Sequence, residues 1–279
     1  MKDDGSLLYA CAANDTELVR QRLEGAAPAQ LKKSTPEHGT PLHAAALCGN
    51  TAAVDLLITA GADLEAGNVV RNNPMLACIE AGELDMARYL LERGSSPTRK
   101  GLHNRGALSL LILHSWDRDF AEHLLSLGVD VNATALDKQN LLGDAAGIDN
   151  GDAIDWLLGR GIDESFLNEA LRAAIWYNAV DAVTLLLGKG ADLDEMSVTA
   201  KGLSKSVYHW TATGGGREPL LRLLLAGGVD FTKAPARPIS VTTGKTKLSP
   251  LDYARERLEL FPDATEIAGN IAVIEGHGQ

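Results

Sequence analysis

The sequence has few cysteines, few aromatic residues and no long apolar run, and each shortage narrows what the protein can be. Its three cysteines cannot form a complete disulfide framework. The longest apolar stretch, residues 108–113, is interrupted by Ser109 and is far too short to span a bilayer. Residues 1–4 are acidic and show no secretory signal. We therefore expect a soluble, cytoplasmic protein in a reducing compartment, with no membrane partner.

Positive charge is also in short supply, since 26 Lys and Arg face 37 Asp and Glu, for a net charge of −11. This balance argues against nucleic acid as a partner. The charge is uneven, because residues 195–257 carry a net +5 and the remainder −16. An acidic binding surface would attract a basic partner and speed association. Acidic residues that only cover the outer surface for solubility would give the same count, so both interpretations stay open.

Motifs that would indicate catalysis are missing from the sequence. It contains no H-E-x-x-H, G-x-S-x-G or C-x-x-C pattern. Residues 244–246 (Gly-Lys-Thr) resemble the end of a phosphate-binding loop, but Ile239 stands where that loop needs a glycine. His103, His114 and His123 do not have the spacing of metal ligands. We therefore expect no enzymatic activity, no metal and no cofactor.

What the sequence does contain is an internal repeat. Leucines that stand four residues before a glycine recur at steps of 33, 34, 33, 29 and 38 residues. They are Leu57, Leu90, Leu124, Leu157, Leu186 and Leu224. A second set of anchors recurs at steps of 33, 33 and 34, at Pro41, Pro74, Ala107 and Leu141. Self-similarity with this period indicates a chain of stacked supersecondary units.

Residues 39–66 (GTPLHAAALCGNTAAVDLLITAGADLEA) provide the template of the repeat. Pro41 is placed for a first helical turn, where the missing N–H costs no hydrogen bond. A second amphipathic helix ends before Gly61, in a position typical of a helix C-cap. Two short helices bury too little apolar surface to be stable alone, so the units must stack on one another.

The T-P-L-H-x-A motif at residues 40–45 resembles the signature of the ankyrin repeat family, and the resemblance extends over about residues 5–277. It implies an all-α solenoid of about eight helix–turn–helix repeats, some with short β-hairpin fingers. It also implies that His43 and His209 connect neighbouring hairpins by hydrogen bonds. We expect a single domain, 1–279, that begins with a degenerate N-terminal cap (1–36) and ends with a C-terminal cap (248–279). Between the caps lie the core repeats (37–194) and an irregular repeat (195–247). The irregular repeat contains two long insertions, at 195–205 and 232–247.

The resemblance further implies that the chain binds another protein through two sets of residues. One set occupies the concave surface, at the two positions before each inter-helix glycine. Its members are Leu47, Cys48, Glu80, Leu113, His114, Ile148, Trp176 and Tyr177, with Trp116 at the altered corner of repeat four. The other set, at the hairpin tips, is polar, mixed in sign and expected to be solvated. Its members are Glu37, Arg71, Asn72, Arg105, Lys138 and Gln139.

Exposed aromatic and aliphatic side chains are typical of interface hot spots, so we predict that Leu113, Ile148, Trp176 and Tyr177 form the centre of the binding surface. If irregular repeats tilt, or if the loop at 195–205 folds over them, these side chains are buried instead. Cys48 is either a modifiable thiol or an incidental small residue.

Three functions are compatible with these observations. We favour a non-enzymatic, monomeric module that binds a partner protein across repeats two to six. The alternative is a stoichiometric inhibitor, such as an immunity protein that neutralises a basic toxin or enzyme. A third hypothesis is a subunit of an enzyme regulated by a small molecule or nucleotide, with residues 195–247 as the ligand-binding region. The sequence does not name the partner.

Overall fold

The computed structural model describes residues 3–24, 27–136, 139–193, 203–234, 239–241 and 244–277. The chain forms two compact units, Met1–Leu141 and Leu142–Gln279. Both units are built from helix pairs, as the repeat period predicts. The division of the chain into one domain with capping segments stays a prediction.

Eight helix pairs follow one another along the described part of the chain, and we number them as repeats one to eight. Repeats one to four consist of Leu7–Ala12 with Thr16–Leu23, Pro41–Leu47 with Thr51–Thr59, Pro74–Ala81 with Leu84–Glu92, and Ala107–His114 with Arg118–Ser126. Repeats five to eight consist of Leu141–Gly147 with Gly151–Gly159, Leu167–Tyr177 with Val180–Gly188, Leu203–Thr213 with Glu218–Ala226, and Pro250–Leu260 with Thr265–His277. Short helical turns add Pro28–Leu31, Leu102–Asn104 and Glu164–Phe166.

Local signals in the sequence explain where these helices begin and end. In repeat two, Pro41 occupies the first turn, and the Thr40 side chain accepts a hydrogen bond from the backbone N–H of His43. The side chain of Asn50 does the same for the second helix by accepting from the N–H of Ala53. The chain leaves that helix through Gly61, whose φ of 90° suits glycine and strains other residues.

The core of each unit is formed by the faces that the repeat period selects. The six leucines of that period are fully buried, at 0% exposure each. First helices of consecutive repeats pack on one another within a unit, and several second helices do the same. Within each unit, neighbouring helix pairs thus cover one another's apolar faces, which confirms the prediction that single repeats must stack.

Residues 232–247, the second predicted insertion, contain a two-stranded antiparallel hairpin. Strand Ile239–Val241 pairs with strand Gly244–Thr246, and Ile239 lies opposite Thr246. The Gly-Lys-Thr sequence therefore belongs to a strand of a hairpin and not to the strand–loop–helix setting of a phosphate-binding loop. In the other predicted insertion, residues 194–202 lie outside the described residues, and a helix begins at Leu203.

Two buried histidines connect neighbouring repeats, as the family resemblance implies. His43 is 1% exposed, and its Nε2 lies 2.9 Å from the carbonyl oxygen of Asn72 in the next finger. Its Nδ1 accepts a hydrogen bond from the backbone N–H of Thr40 at 3.3 Å. His209 is also buried, and its Nε2 lies 2.9 Å from the carbonyl oxygen of Leu248. These histidines are structural.

Candidate functional site

In the second unit, exposed apolar side chains gather where the first helices of repeats five and six end. Ile148 is 46% exposed, Trp176 37% and Tyr177 65%. The indole of Trp176 stacks on that of Trp210 from repeat seven, with ring centroids 5.6 Å apart and planes 13° from parallel. We call Ile148, Trp176, Tyr177 and Trp210 the aromatic cluster. The first three are exposed, as the sequence predicted.

Arg217 supports the aromatic cluster by hydrogen bonds to a helix end and by contact with the Trp210 ring. It is only 8% exposed and lies at the start of the second helix of repeat seven. Its Nη1 donates to the carbonyl oxygen of Ile175 at 2.9 Å, and its Nη2 donates to that of Trp176 at 2.8 Å. These two carbonyls lie in the last turn of a helix, where backbone acceptors lack the donor four residues later, although that of Ile175 also accepts from the N–H of Asn178 at 3.3 Å. The guanidinium also lies 5.4 Å from the ring centroid of Trp210.

Two glycines make room for this packing. A Cβ atom on Gly214 would lie 2.5 Å from Nε of Arg217, so a side chain there would displace the guanidinium. A Cβ atom on Gly147 would lie 3.1 Å from Cδ2 of Tyr177, so the tyrosine ring rests directly on the helix backbone of repeat five. Aromatic rings fixed in this way present contact area and lose little rotamer freedom on binding.

The remaining predicted residues of the concave set belong to the first unit and differ in exposure. The exposed ones are Leu47, Cys48, Glu80 and His114, and the half-buried ones are Leu113 and Trp116. Leu113 is therefore less accessible than the sequence predicted. The exposed members of the set in this unit include neither a tryptophan nor a tyrosine, unlike those in the second unit.

The polar residues predicted at the hairpin tips differ in exposure. Glu37, Arg71 and Gln139 are exposed. Asn72 is only 2% exposed, so the expectation that its side chain is solvated is wrong. It donates from Nδ2 to Oε2 of Glu80 in the same repeat at 2.7 Å, and its carbonyl accepts from His43 of the preceding repeat. Lys138 lies outside the described residues.

Arg105 is half-buried and binds within the protein. Its Nη1 donates to Oγ of Ser109 at 2.7 Å, and its Nη2 donates to Oε1 of Gln139 at 2.6 Å. The structure thus brings together two pairs of predicted tip or surface residues, Asn72 with Glu80 and Arg105 with Gln139. Both pairs join different segments of the first unit by side-chain hydrogen bonds.

The cysteines are poor nucleophiles. Burial raises the pKa of the Cys11 and Cys78 thiols to about 12, and partial burial also raises the pKa of Cys48. Among the residues that the structure describes, there is no group of three or more His, Cys, Asp or Glu side chains that could hold a metal ion. No helix in the same part of the chain is long and apolar enough to cross a membrane.

Sequence reasoning missed Trp210 and Arg217. Trp210 directly follows His209, so it occupies the variable position of the T-P-L-H-x-A motif. Alignment of this repeat with the motif could therefore have identified it. The role of Arg217 had no such signal, because its partners are carbonyl groups 41 and 42 residues away.

Comparison with known proteins supports the same fold. Residues 7–101 match the family model described as ankyrin repeats in three copies. The chain is 28% identical over 203 residues to the B-cell lymphoma 3 protein homolog of Mus musculus, which covers 68% of this chain and 44% of that protein. It is also 28% identical over 185 residues to the ankyrin repeat domain-containing protein SAT10 of Stachybotrys chartarum, covering 65% of this chain and 9% of that protein.

The human B-cell lymphoma 3 protein matches with 28% identity over 209 residues, or 72% of this chain and 46% of its own length. The chain therefore spans less than half the length of these curated relatives. The crystal structure of the human ASB11 ankyrin repeat domain superposes with a TM-score of 0.56 at 22% identity, covering 69% of this chain and 86% of that one.

Stacked helix pairs joined by buried histidines and short fingers define a helical-repeat protein. The family match over residues 7–101 and the structural neighbour show that the chain has an ankyrin-repeat fold. Ankyrin repeats are generic modules for protein–protein interaction.

Proposed function

We propose that this protein is a non-enzymatic binding module whose aromatic cluster in the second unit contacts a partner protein. The observation that carries the proposal is the exposure of Ile148, Trp176 and Tyr177 on a support fixed by Arg217. Large aromatic side chains in a preorganised setting are typical of interface hot spots. Single exposed apolar residues are ordinary on protein surfaces, but several adjacent ones indicate a contact site.

The charge around the cluster favours a partner that presents basic side chains. Residues 142–193 contain nine Asp and Glu and only three Lys and Arg. Indole and phenol faces also attract guanidinium and ammonium groups. A segment that carries both apolar and basic residues fits these two properties, and its association would slow as the salt concentration rises.

Affinity purification followed by mass spectrometry identifies the partner, and calorimetry with purified proteins then tests the assignment. We expect Trp176→Ala and Tyr177→Ala each to weaken binding by roughly 2 kcal/mol. Leu127→Ala is a matched control, because Leu127 is similarly exposed (41%) but follows a second helix in the first unit. Unchanged affinity in both aromatic variants, or an equal loss in the control, would remove the cluster from the interface.

A stoichiometric inhibitor is the second candidate, and the net charge of −11 favours it if the partner is a basic enzyme. In that case the purified pair forms a 1:1 complex, and the catalytic activity of the partner is lost at equimolar ratio. Several weakly bound partners that keep their activity would support a general adaptor instead.

A further inference from the structure

Four consecutive fingers of the first unit close by the same backbone hydrogen bond. In each finger, the N–H of one residue donates to the carbonyl oxygen of the residue four positions later. The pairs are Thr35 to Gly39 (3.1 Å), Asn68 to Asn72 (2.9 Å), Gly101 to Arg105 (2.8 Å) and Ala135 to Gln139 (2.8 Å). The fingers therefore share one closing hydrogen bond although their sequences differ.

The residue that follows the donor in each loop is apolar and exposed. These residues are Pro36, Val69, Leu102 and Leu136, at steps of 33, 33 and 34 residues. The exposed fractions of the last three side chains are 61%, 42% and 56%. One exposed apolar residue needs no explanation, but the same position repeated in four successive fingers makes an ordered row. We call these four residues the fingertip stripe.

Contacts between neighbouring fingers fix the spacing of the stripe. The Nδ2 of Asn104 donates to the carbonyl oxygen of Thr134 at 3.3 Å, and Arg105 donates to Gln139. Gly101 lies so close to the buried side chain of Asn72 that Oδ1 occupies the space a Cβ atom would need. His43 connects the helix after the first finger to the second finger. The row is therefore preformed, and little ordering entropy is lost when it is covered.

The charge beside the two middle tips, Val69 and Leu102, is opposite to that of the whole protein. Residues 66–73 and 99–106 contain four basic residues and no acidic one. Arg99 lies 4.0 Å from Glu65, and Arg105 binds within the protein through contacts that include Ser109 and Gln139. Arg71 is exposed and Lys100 half-buried, and neither side chain has an ion pair with another described residue. Positive charge therefore borders the two middle tips, whereas the exposed Glu37 follows Pro36 in the first finger.

We propose that the fingertip stripe binds an acidic amphipathic α-helix of another protein. Stacked helices lie about 8–10 Å apart, so successive tips are separated by roughly that distance. Residues seven apart on a helix share one face and are separated by about 10.5 Å along its axis, which matches this spacing. In an extended strand, residues three apart span about 10 Å but point to opposite sides, so a strand does not fit. A helix of about 20 residues reaches all four tips, and its acidic flanks would meet Arg71 and Lys100.

Selection of a random 20-residue peptide display library against the full chain tests this proposal. We expect enriched peptides to be acidic, to carry apolar residues at seven-residue spacing and to gain helical circular dichroism on binding. Val69→Ser/Leu102→Ser and Arg71→Glu/Lys100→Glu should each weaken their binding at least tenfold. Leu127→Ser is the matched control, since it removes an exposed leucine of the same unit away from the fingers.

Several results would overturn the proposal. They are the absence of enriched peptides, enrichment of basic or extended peptides, and affinities that the fingertip substitutions leave unchanged. Binding of a 20-nucleotide single-stranded DNA that depends on Arg71 and Lys100 but not on Val69 and Leu102 would assign the basic residues to nucleic acid instead. Tyr177→Ala alters the aromatic cluster and not the fingers. Failure of the fingertip proposal and failure of the proposed function can therefore be told apart.

Discussion

At the scale of single residues, His43 shows how one side chain connects two repeats. Its Nδ1 accepts from the backbone N–H of Thr40, and its Nε2 donates to the carbonyl of Asn72. This arrangement requires the neutral ring. Burial lowers the pKa of His43, although its bond to Asn72 acts in the opposite direction. The folded protein therefore holds this histidine neutral at a pH where the unfolded chain already protonates it.

The lowered pKa predicts that stability falls as the pH decreases from 7 to 5. Below about 6.5 the unfolded chain binds a proton that the folded chain does not, so the free energy of unfolding decreases with decreasing pH. Urea midpoints measured at both pH values check this. His43→Gln should flatten this pH dependence at some cost in stability, whereas substitution of the exposed His114 should not. A slope that survives in His43→Gln would contradict the assignment.

Thiol accessibility gives a second prediction at this scale. Cys11 and Cys78 are buried, with thiol pKa values raised to about 12, and Cys48 is exposed. Iodoacetamide at pH 8 should therefore label Cys48 alone in the folded protein, as read by mass spectrometry. The raised pKa of Cys48 makes this reaction slower than that of free cysteine. Labelling in urea is the control and should modify all three residues, while rapid native labelling of Cys11 would show that repeat one is open.

At the scale of helices, the contact between repeats six and seven depends on a guanidinium that caps a helix end. Arg217 and Asn178 both act there, since Nδ2 of Asn178 donates to the carbonyl oxygen of Gly216 at 3.2 Å. Asn178 itself has a φ of 64°, which ends the first helix of repeat six in the left-handed region. The aromatic cluster is thus built on a helix terminus that the next repeat completes.

Substitution of Arg217 should destabilise the second unit. Arg217→Ala removes two hydrogen bonds from a charged donor to the carbonyls of Ile175 and Trp176, and it should lower the free energy of unfolding by about 2–3 kcal/mol. Arg217→Lys should recover little of this, because an ammonium group lacks the planar fork that reaches two carbonyls. The matched control is Arg222→Ala, which removes only an exposed ion pair with Glu218 and should change stability by less than about 0.5 kcal/mol. Similar urea midpoints for Arg217→Ala and Arg222→Ala would refute this role.

At the scale of the whole molecule, each repeat is stable because its neighbours cover it. The last pair, Pro250–Leu260 with Thr265–His277, packs on both helices of repeat seven. Asn270 reinforces this contact, since its Nδ2 donates to the carbonyl oxygen of Gly214 at 2.9 Å. In such arrays, stability is approximately a sum of repeat and interface contributions, and terminal repeats protect the apolar faces of inner ones.

Removal of residues 250–277 should therefore expose the apolar face of repeat seven and cause self-association. Size-exclusion chromatography should show oligomers or aggregates, and the urea midpoint should fall. Asn270→Ala is the control, because it removes hydrogen bonds at the same interface without uncovering the helix faces, and it should remain monomeric with a loss of about 1–2 kcal/mol. A truncated chain that stays monomeric with an unchanged midpoint would contradict this picture.

Much of the fold could be predicted because equivalent residues of the repeats recur at a regular spacing along the sequence. The buried leucines, the prolines at first turns and the glycines after second helices are local signals, and the structure confirms them at Leu57, Pro41 and Gly61. The exposure of Trp176 and Tyr177 followed from the same register. The polar tips were harder to predict, since burial of Asn72 depends on contacts with His43 and Gly101 from two other repeats.

By itself, the sequence determined the number of helix pairs, the faces they bury and the histidine connections, because each of these depends on spacing within about one repeat. Only the tertiary structure decided that Arg217 supports the aromatic cluster and that Pro36, Val69, Leu102 and Leu136 are exposed in one row. Those features arise when loops and helix ends from different repeats meet. Their energies depend on distances between residues that are more than 30 positions apart, and a single repeat does not encode such distances.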